Sequence, residues 1–132
     1  MGEWWTLLIV RDAILGARRF DDFKATGIAD NILSARLKKL TDAGILKRRR
    51  YQTHPDRYEY LLTERGSALA PVVLALRDWG KRFTKGRDAS HIIHKACGGS
   101  IELGFRCTQC DREIAKTEIS PARLYENENA SA

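Results

Sequence analysis

The stretch ILKRRRYQTHPDRYEYLLTERG, residues 45–66, reads as two short strands around a Pro55-Asp56 turn. It also sets four bases, Lys47, Arg48, Arg49 and Arg50, side by side. Successive strand residues point to opposite faces, so half of such a run would ordinarily face a core. Only Ile45 and Leu46 are apolar at its start, and they suffice to close a core. Beyond them the hairpin leaves the body of the protein, where both faces can carry charge.

Working outward, the segment before the hairpin, IADNILSARLKKLTDAG, places Leu33, Leu37 and Leu40 on a narrow arc at 100° per residue, with Asn31, Ala35, Lys38 and Asp42 opposite. Gly44 ends this third helix. Upstream, RRFDDFKATG reads as a short second helix with Phe20 and Phe23 on one side and Gly27 as its stop. EWWTLLIVRDAIL places Trp4, Leu7, Leu8, Arg11 and Leu15 near helical spacing, with Gly16 after them, and reads as a buried first helix. After the hairpin, Thr63 and Gly66 introduce one long helix, ERGSALAPVVLALRDWGKRF, with Pro71 in or near its first turns. Residues 84–90 are polar and read as a linker, and YENENASA reads as a frayed end.

Composition bounds the function. Of 132 residues, 43% are hydrophobic, enough for one packed domain and a small appendage. Lys and Arg number 23 against 17 Asp and Glu; residues 111–132 hold 3 of the basic and 5 of the acidic ones, leaving 20 against 12 in residues 1–110. A basic body favours a polyanionic partner. No apolar run is long enough to span a bilayer, and Trp4–Val10 lacks the form of a signal peptide, so a cytoplasmic protein without membrane partners is expected. Three cysteines, Cys97, Cys107 and Cys110, suit a reducing compartment better than a disulfide framework. No nucleophile, base and orienting group stand at suggestive spacing, so no enzyme activity is expected.

Two helices joined by a tight turn, then a hairpin, then a long helix is the element order of a winged helix-turn-helix. The residues strengthen the match: Gly2 to Trp5, Gly16 to Phe20, Leu37 to Gly44, and Glu59 to Gly66 resemble the motif of the HxlR family of bacterial transcriptional regulators, relatives of the MarR-type regulators. The likeness covers roughly residues 2–83. It implies an α+β fold, mainly helical with a β-hairpin wing, and a homodimer formed through helices at the two ends of the domain. It also implies a sequence-specific regulator, most simply a repressor, that binds double-stranded DNA at a pseudo-palindromic operator; the effector is not specified. Two departures stand out. Family members usually carry a sensing cysteine in a helix ahead of this domain, whereas no cysteine here precedes position 97. The family's Ser-Pro at the start of the recognition helix is replaced by Ala29 and Asp30, and Asp30 is expected to cap a helix that starts one residue later.

The candidate DNA-binding residues follow from the chemistry of groove and phosphate. On the third helix Asn31 offers an amide suited to adenine, Ser34 a hydroxyl, Ala35 a methyl for thymine, and Lys38 a cation for guanine or phosphate. Arg18 and Arg19 lie where a helix-turn-helix crosses the backbone. Lys47, Arg48, Arg49, Arg50 and Arg57 would flank the site, with Arg57 or His54 near the wing tip able to enter the minor groove. In the long helix Leu69, Val72, Val73, Leu76 and Trp79 exceed what a small body needs and suggest a dimer face.

The last constellation is HIIHKACGGSIELGFRCTQC: His94, two residues, Cys97, nine residues, Cys107, two residues, Cys110. Two close pairs of this kind form a structural zinc site, which makes residues 87–118 a small zinc-ribbon-like extension after a DNA-binding domain of residues 1–86 and before a tail of residues 119–132. His91 competes as fourth ligand, and Asp111 stands where such a turn often has Gly. Two rivals remain: a winged helix that docks proteins through the ribbon, and a regulator that senses redox state through Cys107 and Cys110.

Overall fold

The computed structural model describes residues 4–84, 92–123 and 130. The chain divides into two compact units, Met1–Asp88 and Ala89–Ala132. Gly2, His91, residues 85–90 of the expected linker and most of the expected tail lie outside the described residues.

The first unit runs α1 (Trp4–Ile14), α2 (Phe20–Phe23), a 3-10 turn (Lys24–Thr26), α3 (Asp30–Asp42), β1 (Leu46–Gln52), β2 (Arg57–Leu62), α4 (Glu64–Ser67) and α5 (Ala70–Phe83). This is a winged helix-turn-helix, α2 and α3 forming the motif and β1–β2 the wing. Its core joins Ile9, Val10 and Ala13 of α1, Phe23, Ile28, the Leu33, Leu37 and Leu40 arc of α3, Ile45, Leu46 and Val73. Phe23, Leu33 and Leu37 are fully buried, each contributing about 1.5–3 kcal/mol by leaving water.

Three details differ from the sequence reading. The buried face of α1 is Thr6, Ile9, Val10 and Ala13; Leu7, Leu8 and Arg11 are half-buried and Leu15 is exposed. A helix that is apolar nearly all round has no single stripe for periodicity to select. The long helix is broken into α4 and α5 at Ala68 and Leu69, because Pro71 lacks the N–H that would continue the ladder and its ring would clash with the carbonyl four residues before it. Asp30 is the first residue of α3 and does not cap it: Ala29 is the N-cap, without a side-chain bond, and Asp30 instead pairs with Lys24 at 3.2 Å.

The base of the wing is tied to α4 through Thr63. Its hydroxyl accepts the Gly66 N–H at 3.1 Å and donates to the carbonyls of Gly44 and Ile45. Gly66 is obligatory here, since a Cβ would stand 2.1 Å from the Ile45 carbonyl oxygen.

The second unit holds β3 (Phe105–Cys107), β4 (Arg112–Ile114) and a 3-10 turn (Lys116–Glu118). β3 and β4 pair antiparallel, Cys107 facing Arg112. No described residue of this unit is buried.

Candidate nucleic-acid interface

The α3 residues expected to read DNA share one exposed face of the helix. Asn31, Ser34, Ala35 and Lys38 are all exposed, while Leu33, Leu37 and Leu40 anchor the opposite side. Lys38 is drawn along the helix by Asp42, Nζ to Oδ2 3.0 Å; this pair is exposed and contributes little, so the ammonium is free to leave it for an anion.

The wing is a two-stranded ribbon with Leu46 opposite Leu62, Arg48 opposite Tyr60, Arg49 opposite Glu59, Arg50 opposite Tyr58, and an irregularity between Arg50 and Gln52. Every residue of β1 after Leu46 is exposed, as expected for a hairpin that has left the core. The basic run, uniform in sequence, is not uniform in space. Arg49 is bound by Glu59, its Nε donating to Oε1 at 2.8 Å and its Nη2 to the same oxygen. The Glu59 side chain is only 11% exposed, so the guanidinium compensates a nearly buried carboxylate. Arg48 stacks over the Tyr58 ring at 4.2 Å. Arg50 lies 3.7 Å from Asp56. Lys47 and Arg57 are exposed and have no ion pair among the described residues. His54, exposed at the tip, is in the left-handed region at φ 53 and is followed by a cis peptide bond to Pro55.

Arg18 and Arg19 lie just before α2 and are exposed. Their backbone is built into the wing: the Tyr60 N–H donates to the Arg18 carbonyl at 2.6 Å, and Arg19 bridges to Glu59. Asp22 accepts the N–H groups of Arg19 at 2.9 Å and Arg18 at 3.0 Å. These two bonds, Arg19's first, hold its carboxyl below the usual carboxylate range. The Arg19 guanidinium sits over Tyr51 at 4.4 Å. Tyr51 and Tyr58 as platforms, and Glu59 as the tether of Arg49, escape sequence reading. Counting the register from a Pro55-Asp56 turn would have put Glu59 opposite Gln52; the irregularity between Arg50 and Gln52 brings it opposite Arg49 instead.

Of the expected apolar stripe, Val73 of α5 is buried and Leu69, just before α5, packs on the core. Val72, Leu76, Trp79 and Phe83 are exposed. They recur at four, three and four residues, one continuous helix face, and the Trp79 and Phe83 rings meet at 5.7 Å. Among the described residues no helix is long and apolar enough to cross a membrane.

In the second unit the expected metal ligands form two pairs. His94 Nδ1 lies 3.3 Å from Cys97 Sγ, and Cys107 Sγ accepts the Cys110 N–H at 3.4 Å. The Cys107 thiol is pushed below its ordinary range by the N–H of Cys110, then that of Gln109, then the Cys110 thiol. Among the described residues, no three His, Cys, Asp or Glu side chains gather in one cluster that could hold a metal ion. The three cysteines are unpaired thiols.

Comparison with known proteins agrees with this geometry. Residues 1–88 match the family model described as HxlR-like helix-turn-helix. An HTH-type transcriptional regulator of Mycobacterium tuberculosis is 36% identical over 124 residues, covering 92% of this chain and 78% of the relative. The crystal structure of the candidate transcription factor PA1607 superposes with a TM-score of 0.76 at 30% identity, over 92% of this chain and 87% of that one. The redox regulator HypR in its reduced form matches with a TM-score of 0.56 at 33% identity, over 62% of this chain and 82% of its own.

Proposed function

The chain belongs to the HxlR-like helix-turn-helix family and is a DNA-binding transcriptional regulator, and on that premise we propose that it acts as a homodimer that reads a pseudo-palindromic operator and represses by occupying it. The observation that carries this reading is the pairing of two surfaces on one scaffold. α3 turns Asn31, Ser34, Ala35 and Lys38 outward from a fully buried leucine arc, and beside it the wing is basic on both faces. Small polar residues let a helix enter the major groove, and the wing cations neutralise flanking phosphates. Dimerisation is supported by the exposed Val72, Leu76, Trp79 and Phe83 face of α5, which sets two recognition helices a turn of DNA apart. The cytoplasm is where such a protein works.

Operator affinity measured by fluorescence anisotropy over a salt series tests this. Lys47→Ala and Arg57→Ala together should weaken binding to all sequences and lower the salt slope by about 2, one for each counterion-releasing contact. Asn31→Ala should instead relax sequence preference. An unchanged slope and affinity in the wing variant would exclude the wing from the interface.

A second reading has one observation behind it, the likeness to HypR, a redox regulator. In it a diazene or peroxide oxidant takes two electrons and two protons from the Cys107 and Cys110 thiols, a disulfide forms, and DNA affinity changes. Unaltered operator binding after diamide treatment of the intact chain would eliminate it.

A further inference from the structure

We propose that the unit Ala89–Ala132 is a metal-dependent fold in which His94, Cys97, Cys107 and Cys110 bind one thiophilic divalent cation, zinc by preference. The two pairs are built as the same turn used twice. In His94-Lys95-Ala96-Cys97-Gly98 the N–H of the fifth residue donates to the carbonyl of the first at 2.8 Å; in Cys107-Thr108-Gln109-Cys110-Asp111 the same bond is 2.9 Å. The fifth residue is left-handed in both, Gly98 at φ 73 and Asp111 at φ 60. Asp is among the few side-chain-bearing residues that adopt this region at low cost, so Asp111 does the work of the usual glycine. Each turn also closes a short antiparallel pairing, Ile93 with Ser100 in one and β3 with β4 in the other.

The ligand chemistry fits. Zn–S bonds of about 2.3 Å and Zn–N bonds of about 2.0–2.1 Å at a tetrahedral angle put adjacent ligand atoms about 3.5 Å apart. His94 Nδ1 and Cys97 Sγ stand 3.3 Å apart, already at the edge length of such a tetrahedron. Backbone N–H groups point at sulfur in both turns, Gly99 to Cys97 Sγ and Cys110 to Cys107 Sγ, each at 3.4 Å. Such donors favour the thiolate, the form that binds metal.

Energetics supply the need. No described residue of the unit is buried, and Ile93, Ile101, Leu103, Phe105 and Ile119 are exposed. A unit of this size without a core requires a covalent or metal staple. The four donors stand as two pairs and not as one cluster, so on this proposal binding closes the two turns on the ion and couples metal affinity to the folding of the unit.

Cobalt(II) titration of the reduced, chelator-treated full chain tests the proposal, with operator binding followed separately so that the two readings fail independently. One cobalt per chain, the d–d bands of a tetrahedral ion and thiolate-to-cobalt charge transfer are expected. Cys107→Ser should lower the charge-transfer absorbance per bound cobalt by about a third, two thiolates of three remaining, and cut affinity at least tenfold, and His94→Ala should shift the d–d bands while His91→Ala leaves them in place. Should a variant misfold, the wild-type chain still decides: chelation should open residues 92–123 to protease and added zinc should close them again. Protease resistance of this segment that is indifferent to chelator and zinc, with all three thiols reduced, overturns the proposal. So does a Cys107–Cys110 disulfide in protein that takes up no cobalt. Loss of cobalt binding in His91→Ala but not in His94→Ala overturns the ligand set.

Discussion

The two units of this chain solve the same problem by opposite means. In the first, eleven buried hydrophobic residues among those described form one core, and the chemistry-bearing side chains are arrayed outside it. In the second, none of the described residues is buried, and order resides in turns, N–H to sulfur contacts and two short antiparallel pairings. The difference teaches where each unit is vulnerable: the first to the loss of volume, the second to the loss of its turns and pairings.

The largest expected effect exploits that contrast. Phe23 is completely buried in the core it shares with Leu33, Leu37, Ile45 and Leu46, and Phe23→Ala should destabilise the first unit by about 3–5 kcal/mol through lost transfer energy and the cavity left behind. Urea denaturation followed by tryptophan fluorescence reports this, since Trp4, Trp5 and Trp79 all belong to the first unit. Cobalt uptake by the second unit should be unchanged. A variant that loses both together would show that the two units fold as one and would break the comparison.

A second contrast concerns exposed apolar residues. Those of the second unit, Ile93, Ile101, Leu103, Phe105 and Ile119, are spread over short turns and strands, whereas Val72, Leu76, Trp79 and Phe83 fall on one face of α5. A contiguous face is what an interface needs. Leu76 is 54% exposed, so Leu76→Asp can be accommodated in the monomer, and its cost falls on association, where a charge would have to be desolvated. Helicity by circular dichroism should persist while light scattering shows dissociation, with a loss of about 2 kcal/mol in dimer affinity. A dimer of unchanged affinity would place the interface elsewhere.

How far the sequence spoke depended on which kind of order was involved. Leu33, Leu37 and Leu40 lie on one arc because a helix half in water must be periodic, so α3 and its outward Asn31, Ser34, Ala35 and Lys38 were legible. In α1 the run WWTLLIV is apolar on every side, and the choice of Ile9, Val10 and Ala13 as the buried face is made by what packs against it. Pro71 is compatible both with a helix that begins near it and with one broken before it, which left the break at Ala68 and Leu69 open to misassignment. The wing showed its charge in sequence but not its inequality. Arg48 rests on Tyr58, Arg49 serves Glu59, and Lys47 and Arg57 stand without ion pairs among the described residues, distinctions that exist only once strand register is set. In the second unit the pairing of His94 with Cys97 and of Cys107 with Cys110 was legible because each pair lies within one tight turn, while the equivalence of Gly98 and Asp111 needed backbone angles to be seen.

The smallest effect separates the units by pH. Asp22 joins α2 to the Arg18–Arg19 segment at the edge of the wing, through one carboxylate oxygen that accepts both backbone N–H groups. The Arg19 N–H, then that of Arg18, hold its carboxyl below the usual carboxylate range in the folded chain, so the unfolded chain binds the proton more readily than the folded one. The stabilisation is therefore fully present above the unfolded pKa and is lost as pH falls toward and through the folded one, in a window below about 4. Asp22→Asn keeps an oxygen acceptor but cannot ionise. It should lower stability slightly at neutral pH and flatten the acid limb of the first unit's stability profile, as read by urea denaturation at a series of pH values. Asp22 is largely exposed, and solvent screening keeps the change small beside that of Phe23→Ala. An acid limb as steep in Asp22→Asn as in the parent chain would mean that other carboxylates govern acid unfolding of the first unit, and that the Asp22 bonds position the backbone without contributing to its pH dependence.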